Sequence, residues 1–551
     1  MGEHADTSVT IQDPSLAERT QETVRTLVDD SVASKLAAQD PTLWGEGAES
    51  EARVRLSWTT AHKASRPLIG EIETLRSQLH EEGVNRVVLA GMGGSSLAPE
   101  VIAATAGRPL TVLDTTDPGQ VTDALEGDLD RTVLVVSSKS GSTVETDTHR
   151  RLFAQAFAES HIDPASRMVV VTDPGTPLDE LAQSQGYRAV FHADRHVGGR
   201  YSALTAFGLV PAGLAGADIA MLLDQAAAVA AELAEDSVNN PALQLGAALG
   251  AAHAHGAEKV VLANNDAGSP HALTGFGNWA EQLIAESTGK RGVGLLPIVV
   301  EDPNALGFVD AGTDATTVAI GAVTPTAALA TTGSLGAQFL LWEHAVAIAG
   351  RLLGINPFDQ PDVEAAKQAA RSLLESGGDT TGSEPAAVHG AVDVHATAGV
   401  SGDGSLHRTL REFLFTAPEH GYLAVQAYLD RLDDASASLL RVECARRAGL
   451  QTTFGWGPRF LHSTGQYHKG GHQNGIFLKI TGANETDLTV PDEQYTLGTL
   501  QLAQAIGDGQ VLAEHGRPVL RLHLTDRAAG LAEVIRALQE VGMTDTDEDR
   551  A

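Results

Sequence analysis

Arg86-Val-Val-Leu-Ala-Gly91-Met-Gly-Gly-Ser95 opens a stretch in which one pattern is written three times. A short, wholly apolar run breaks into a small-residue turn and then into residues suited to a helix. Thr111-Val-Leu-Asp114 repeats the apolar run, and Thr132-Val-Leu-Val-Val136 breaks into Ser137-Ser-Lys-Ser-Gly-Ser-Thr143. Strands without polar alternation, separated by helices, are the mark of a parallel sheet covered on both faces. The expected fold class is therefore α/β with mainly parallel sheets in three α/β/α layers.

Both turns are rich in glycine and hydroxyls. Glycine lets a backbone come close to a ligand, and a helix N-terminus offers unpaired N–H groups to an anion. Gly94 and Ser95 in the first turn, with Ser138, Lys139, Ser140 and Thr143 in the second, are candidate phosphate-binding residues. Two such turns at the carboxyl ends of neighbouring strands would form one crevice.

Working outward, 551 residues with 42% apolar side chains are ample for more than one core. A formal net charge of −33 argues against nucleic acid, whose phosphates need a basic surface, and against anionic membranes. The one cysteine, Cys444, cannot form an intramolecular disulfide, which fits a reducing, cytoplasmic compartment. Gly336 to Gly354 is long and apolar, but Glu343, His344 and Arg351 interrupt it, so a buried helix is expected rather than a membrane span. The N-terminus shows no signal-peptide pattern.

Residues 1–82 read as a helical segment and 83–220 as the first α/β domain. A second domain begins at 221, runs to 376, and is completed by 405–551 after a flexible linker or loop at 377–404. Strands are expected at Met168–Thr172, Ala189–Phe191, Lys259–Asn264, Leu295–Val300, Gly475–Ile480 and Pro518–His523. The tail Thr544-Asp-Thr-Asp-Glu-Asp549 is acidic and expected to fray.

Four further segments carry residues suited to chemistry. Val197-Gly-Gly-Arg-Tyr-Ser202 sets Arg200 beside two glycines. In Asn278-Trp-Ala-Glu-Gln-Leu-Ile-Ala-Glu286, a helix places Asn278, Gln282 and Glu286 on one face. Gly289 is a natural stop for it, and Lys290 a natural ion-pair partner for Glu286. Gly354-Ile-Asn-Pro-Phe-Asp-Gln-Pro-Asp-Val-Glu-Ala-Ala-Lys367 suits a helix with Gln360 at the cap, Pro361 in the first turn and Lys367 further in. Arg459-Phe-Leu-His462-Ser-Thr-Gly-Gln-Tyr-His468 supplies histidines. Taken singly, each has an ordinary structural explanation. His462, His468 and His472 lack the spacing of a common zinc motif.

Together, these segments resemble the phosphoglucose isomerase family, built from two sugar isomerase (SIS) domains. Gly91-Met-Gly-Gly-Ser95 and Ser138-Lys-Ser-Gly-Ser-Thr-Val-Glu-Thr146 are similar to its phosphosugar turns. Gln282-x-x-x-Glu286-Ser-x-Gly-Lys290 resembles its base signature, and the Gly354–Lys367 run its second signature. The histidine segment stands after the lysine segment, an order that resembles the isomerase half of fused transaldolase–phosphoglucose isomerase proteins. No transaldolase barrel is expected in the stretch ahead of the first sheet, which is short for one.

The resemblance implies interconversion of glucose 6-phosphate and fructose 6-phosphate through an enediolate. Glu286 would be the base, Arg200 the oxyanion partner, His462 and Lys367 the ring-opening groups, and Gln282 and Gln360 orienting residues. It implies a small sugar phosphate as partner, no metal and no cofactor, and is compatible with a homodimer. Two alternatives stay open: a bifunctional glucose/mannose phosphate isomerase, and a non-catalytic SIS sugar-phosphate sensor.

Overall fold

The computed structural model describes residues 7–265, 273–362, 364–375, 384–396, 400 and 404–541. The chain forms two compact units. The first comprises Met1–Asp114, Asp123–Gln360 and His462–Tyr467; the second comprises Thr115–Thr122, Pro361–Leu461 and His468–Ala551.

Two sheets lie in the first unit. One has β2 (Arg86–Gly91), β3 (Thr111–Leu113), β4 (Thr132–Ser137), β5 (Met168–Thr172) and β6 (Ala189–His192), all parallel, in the order β3-β2-β4-β5-β6. Every residue of β4 and β5 is buried, which is why these strands read as unbroken apolar runs. The order reverses between β2 and β4, and Gly91 pairs with Ser137 in register. The two small-residue turns therefore leave adjacent strands at one level, where such sheets bind ligands.

The other sheet has β1 (Ser8–Ile11), β7 (Lys259–Asn264), β8 (Leu296–Val300), β9 (Ala315–Ile320) and β10 (Leu329–Thr332). Its order is β1-β10-β9-β7-β8, with β1 antiparallel at the edge. The N-terminal segment is thus not wholly helical. Four residues paired to a strand more than 300 positions away carry too short a local signal to be read alone.

The second unit corrects the expected domain plan. β11 (Ala387–His389), β12 (Val392–Ala396), β13 (Tyr422–Tyr428), β14 (Gln451–Trp456), β15 (Gly475–Gly482) and β16 (Val519–Leu524) form a separate sheet, ordered β11-β12-β16-β15-β13-β14. The described residues of 405–551 therefore help build a sheet with its own core rather than completing the preceding one. The described part of the supposed linker 377–404 supplies two of its strands. Val392-Asp-Val-His alternates with period two, but its glycine-rich flanks hide it. The rest of that linker, and the acidic tail, lie outside the described residues.

The apolar run near Gly336 is the helix Leu335–Leu352, buried over most of its length. Among the described residues no helix is long and apolar enough to cross a membrane. Glu343 sits in this helix at 1% exposure, and burial raises its pKa well above the carboxylate range.

Its neighbour His344 meets Trp58 edge-on at 4.9 Å, and His62 is buried with neither ring nitrogen bonded. Burial holds both imidazoles at about 4. Below pH ~6.5 the unfolded chain takes up protons that the folded chain refuses, so stability is lost as pH falls toward 4. From His62 alone the loss is about 2 kcal/mol at pH 5. Denaturant titrations of wild type and His62→Leu at pH 7 and 5 check this. The variant should lose less stability on acidification.

Candidate functional site

The first turn folds as a single 3-10 turn, Gly93–Ser95, with Gly93 at φ +55°. A Cβ on Gly93 would lie 2.6 Å from the His462 carbonyl and 2.8 Å from Gln282 Nε2. On Gly94 it would lie 2.1 Å from the carbonyl of Gly199. These glycines admit other protein segments, so Gly94 is a packing residue whatever else it touches. Ser95 is nearly buried in the same turn.

Gly199 begins the 3-10 turn that carries Arg200, buried at 3% exposure. Arg200 Nη1 donates to Glu286 Oε2 and to Gln360 Oε1, both at 3.0 Å. Its Nη2 donates to the carbonyls of Pro357 and Asp359. Glu286 lies in the helix Phe276–Thr288, 6% exposed. Four residues earlier, Gln282 Nε2 lies 3.4 Å from Glu286 Oε1 and donates to the His462 carbonyl at 2.9 Å.

Glu286 thus pairs with Arg200, not with Lys290. Lys290 reaches the Asn356 and Asp359 carbonyls at 2.6 Å each and Asp359 Oδ1 at 2.8 Å. Burial and the neighbouring Arg200 charge bring its pKa down to about 7. Two buried cations therefore share the Asp359 carbonyl and hold residues 356–360 against the Glu286 helix. One residue beyond each member of the ion pair, Tyr201 and Ser287 meet hydroxyl to hydroxyl at 3.2 Å, with Tyr201 stacked on Trp58.

Gly289 ends the helix as expected, but at φ −75°, so no left-handed turn requires it. A Cβ there would come within 2.5 Å of Tyr467 Cα. Glycine at this position seats the late segment His462–Tyr467, which Gln466 also ties to the Gly289 carbonyl at 2.9 Å.

That segment brings His462 into the first unit. His462 Nε2 lies 3.0 Å from Glu145 Oε1, and Glu145 is buried. A carboxylate only accepts, so Nε2 carries the proton and Nδ1 is the basic nitrogen. Glu145 was absent from the expected site residues although it stands inside the quoted Ser138–Thr146 motif. An acid in a helix's first turn is ordinarily explained by the helix dipole.

Glu145 belongs to the helix Val144–Glu159 that follows the second turn. There Ser138 Oγ and Thr143 Oγ1 are 2.9 Å apart, and the Gly141 N–H points at Ser138 Oγ. Ser140 is exposed and bonds to Ser142. Lys139 turns aside, its ammonium 2.6 Å from Asp173 Oδ2. Contacts therefore run in a ring through the first turn, Gly199 and Arg200, Glu286, Gln282, His462, Glu145 and the second turn.

Gln360 and Lys367 depart from expectation. The described helix is Glu364–Glu375, Pro361 lies in a turn before it, and the Gln360 side chain accepts from Arg200. Lys367 belongs to the second unit, where its ammonium meets Glu364 at 3.1 Å. His468 is also in that unit, buried against the Tyr422 hydroxyl.

The profile of the family described as Phosphoglucose isomerase matches residues 72–321. A protein named "Probable glucose-6-phosphate isomerase" from Natronomonas pharaonis is 32% identical over 346 residues, 53% of this chain and 79% of that one. A glucose-6-phosphate isomerase of Thermosynechococcus vestitus is 30% identical over 390 residues, 56% of this chain and 71% of its own. A crystal structure of a glucose-6-phosphate isomerase from Chlamydia trachomatis aligns with a TM-score of 0.54 at 22% identity, covering 65% of this chain and 86% of that one. At that identity the likeness is one of fold.

Proposed function

This chain belongs to the phosphoglucose isomerase family, and from that premise we propose that it interconverts glucose 6-phosphate and fructose 6-phosphate at the ring of residues around Arg200. The observation that carries the assignment to this site is the buried Arg200–Glu286 pair, 3.0 Å long, met by the His462 segment through Gln282.

Aldose–ketose isomerisation moves one proton between C1 and C2. Glu286 takes it from one carbon and returns it to the other, acting as a positioned general base and then acid. Negative charge grows on the substrate oxygen in between. Arg200 stabilises that charge from a buried position where little water screens it. Its four protein acceptors hold the guanidinium in place beforehand, so little reorganisation is needed at the moment of reaction.

His462 opens the sugar ring through Nδ1 while Glu145 fixes its tautomer and orientation. Lys367, a residue of the second unit, is proposed as the second ring-opening group on the resemblance of its segment alone. Ser138, Ser140 and Thr143, with Ser95, hold the phosphate, and this remote binding positions the reacting carbons. Gln282 and Gln360 orient the hexose.

A coupled assay that detects fructose 6-phosphate tests the assignment. Glucose 6-phosphate should give product without added metal or nicotinamide in the isomerase step. Running mannose 6-phosphate in parallel decides between strict and bifunctional specificity. No product from either aldose overturns the proposal.

A further inference from the structure

The sheet of the second unit repeats the winding of the sheet around β7. There, the four parallel strands run β8-β7-β9-β10, with antiparallel β1 beside β10. Here they run β14-β13-β15-β16, with antiparallel β12 beside β16. The chain leaves β13 toward β14 and leaves β15 toward β16, so the order reverses between β13 and β15. Open parallel sheets bind ligands outside the carboxyl ends of strands at such a reversal.

A cavity of about 190 Å³ lies at that place. Its floor is a polar row across three adjacent strands. Tyr428 pairs in register with Thr481, and Thr481 pairs with His523. Thr481 Oγ1 is 3.0 Å from His523 Nδ1. Asn484 and Gln501 stand at the wall, from the loop after β15 and the helix Leu497–Glu514. The volume falls below the ~300–1,000 Å³ of drug-sized pockets, so it suits a molecule of monosaccharide size.

The lining also bears on the ligand's charge. Arg527 is one nearby cation, engaged by Asp117 and Asp434 at 2.8 Å each and by the Asn484 side-chain oxygen, and Lys479, 5.5 Å from the Tyr428 ring, is engaged by Asp508. The N-terminus of the helix Leu497–Glu514 is taken by Asp487, which accepts from the Gly498 N–H at 2.8 Å. None of these positive features is left for a phosphate. Burial depresses the pKa of His523, so its imidazole is neutral at pH 7. The rest of the polar lining consists of hydroxyls, the imidazole that Thr481 meets, and the side-chain amides of Asn484 and Gln501, the latter donating to Asp117. Groups that both donate and accept match sugar hydroxyls, which do the same.

We infer that the switch point of the third sheet is a second ligand site, taking a small, uncharged, polyhydroxylated molecule. Its lining belongs to the second unit, and it does not rest on the function proposed for the first. Calorimetric titration of the full-length protein, with hexose 6-phosphate present at saturation to fill the first site, tests it. D-glucose, D-xylose and myo-inositol are the probes, with inorganic phosphate as competitor.

At least one probe should bind wild type, and its affinity should fall at least tenfold in Thr481→Val and in the cavity-filling Leu502→Trp. The isomerase rate should stay unchanged in both variants and reports separately on the first site. Binding of none of the three probes overturns the inference. So does equal binding by a folded variant, or displacement of the sugar by phosphate.

Discussion

Glu286→Gln is expected to lower isomerisation at least ~100-fold, the scale usual for a positioned acid–base group. The substitution preserves shape and removes only the basic site. Loss of one partner of a buried ion pair ordinarily destabilises by about 3–5 kcal/mol, because the other charge is left unpaired. Here the cost should be much smaller. Arg200 keeps Gln360 Oε1 and the carbonyls of Pro357 and Asp359, and the new amide still offers an oxygen. The rate should therefore collapse in a protein whose thermal midpoint falls by only a few degrees. An enediolate-mimicking inhibitor should continue to bind, because Arg200 still supplies the charge. Wild-type turnover in the variant would remove Glu286 as the base.

His462→Ala should also cost about 100-fold on the cyclic hexose phosphate, and far less on an analogue that lacks the hydroxyl needed to close the ring. Ring opening needs a proton acceptor and donor beside the ring, whereas the C1–C2 transfer is assigned to Glu286. Glu145→Gln separates positioning from chemistry. It keeps a partner at 3.0 Å from Nε2 but can present an N–H where the carboxylate accepted, which favours the wrong tautomer. Its loss should be smaller than that of His462→Ala and confined to the cyclic substrate. Equal losses on cyclic and open forms in both variants would move His462 to the proton-transfer step.

Some of this architecture was open to direct reading. Strands β4, β5 and β7 are apolar runs buried over almost their whole length and bounded by glycine, proline or charge, so each announces itself within a dozen residues. The two glycine- and hydroxyl-rich turns were legible from their composition, as was the Gln282–Glu286 face, because a helix puts residues four apart side by side whatever surrounds it.

Tertiary structure decided the rest. β1 and β12 are strands because β10 and β16 offer them free edges, and no local pattern of four or five residues specifies a distant edge. Arg200 could have met any carboxylate. Its pairing with Glu286 and with Gln360 follows from segments distant in sequence meeting around one buried guanidinium. The His462–Glu145 bond spans 317 residues and depends on Gly289, whose missing side chain lets Tyr467 approach within contact. Periodicity and turn chemistry act over a few residues, and they determined the strands, the turns and the chemical kinds of group available. Which of those groups share a proton or a charge depends on desolvation in the folded core, where an unpaired ion is too costly to persist, and that was settled only when the chain had packed.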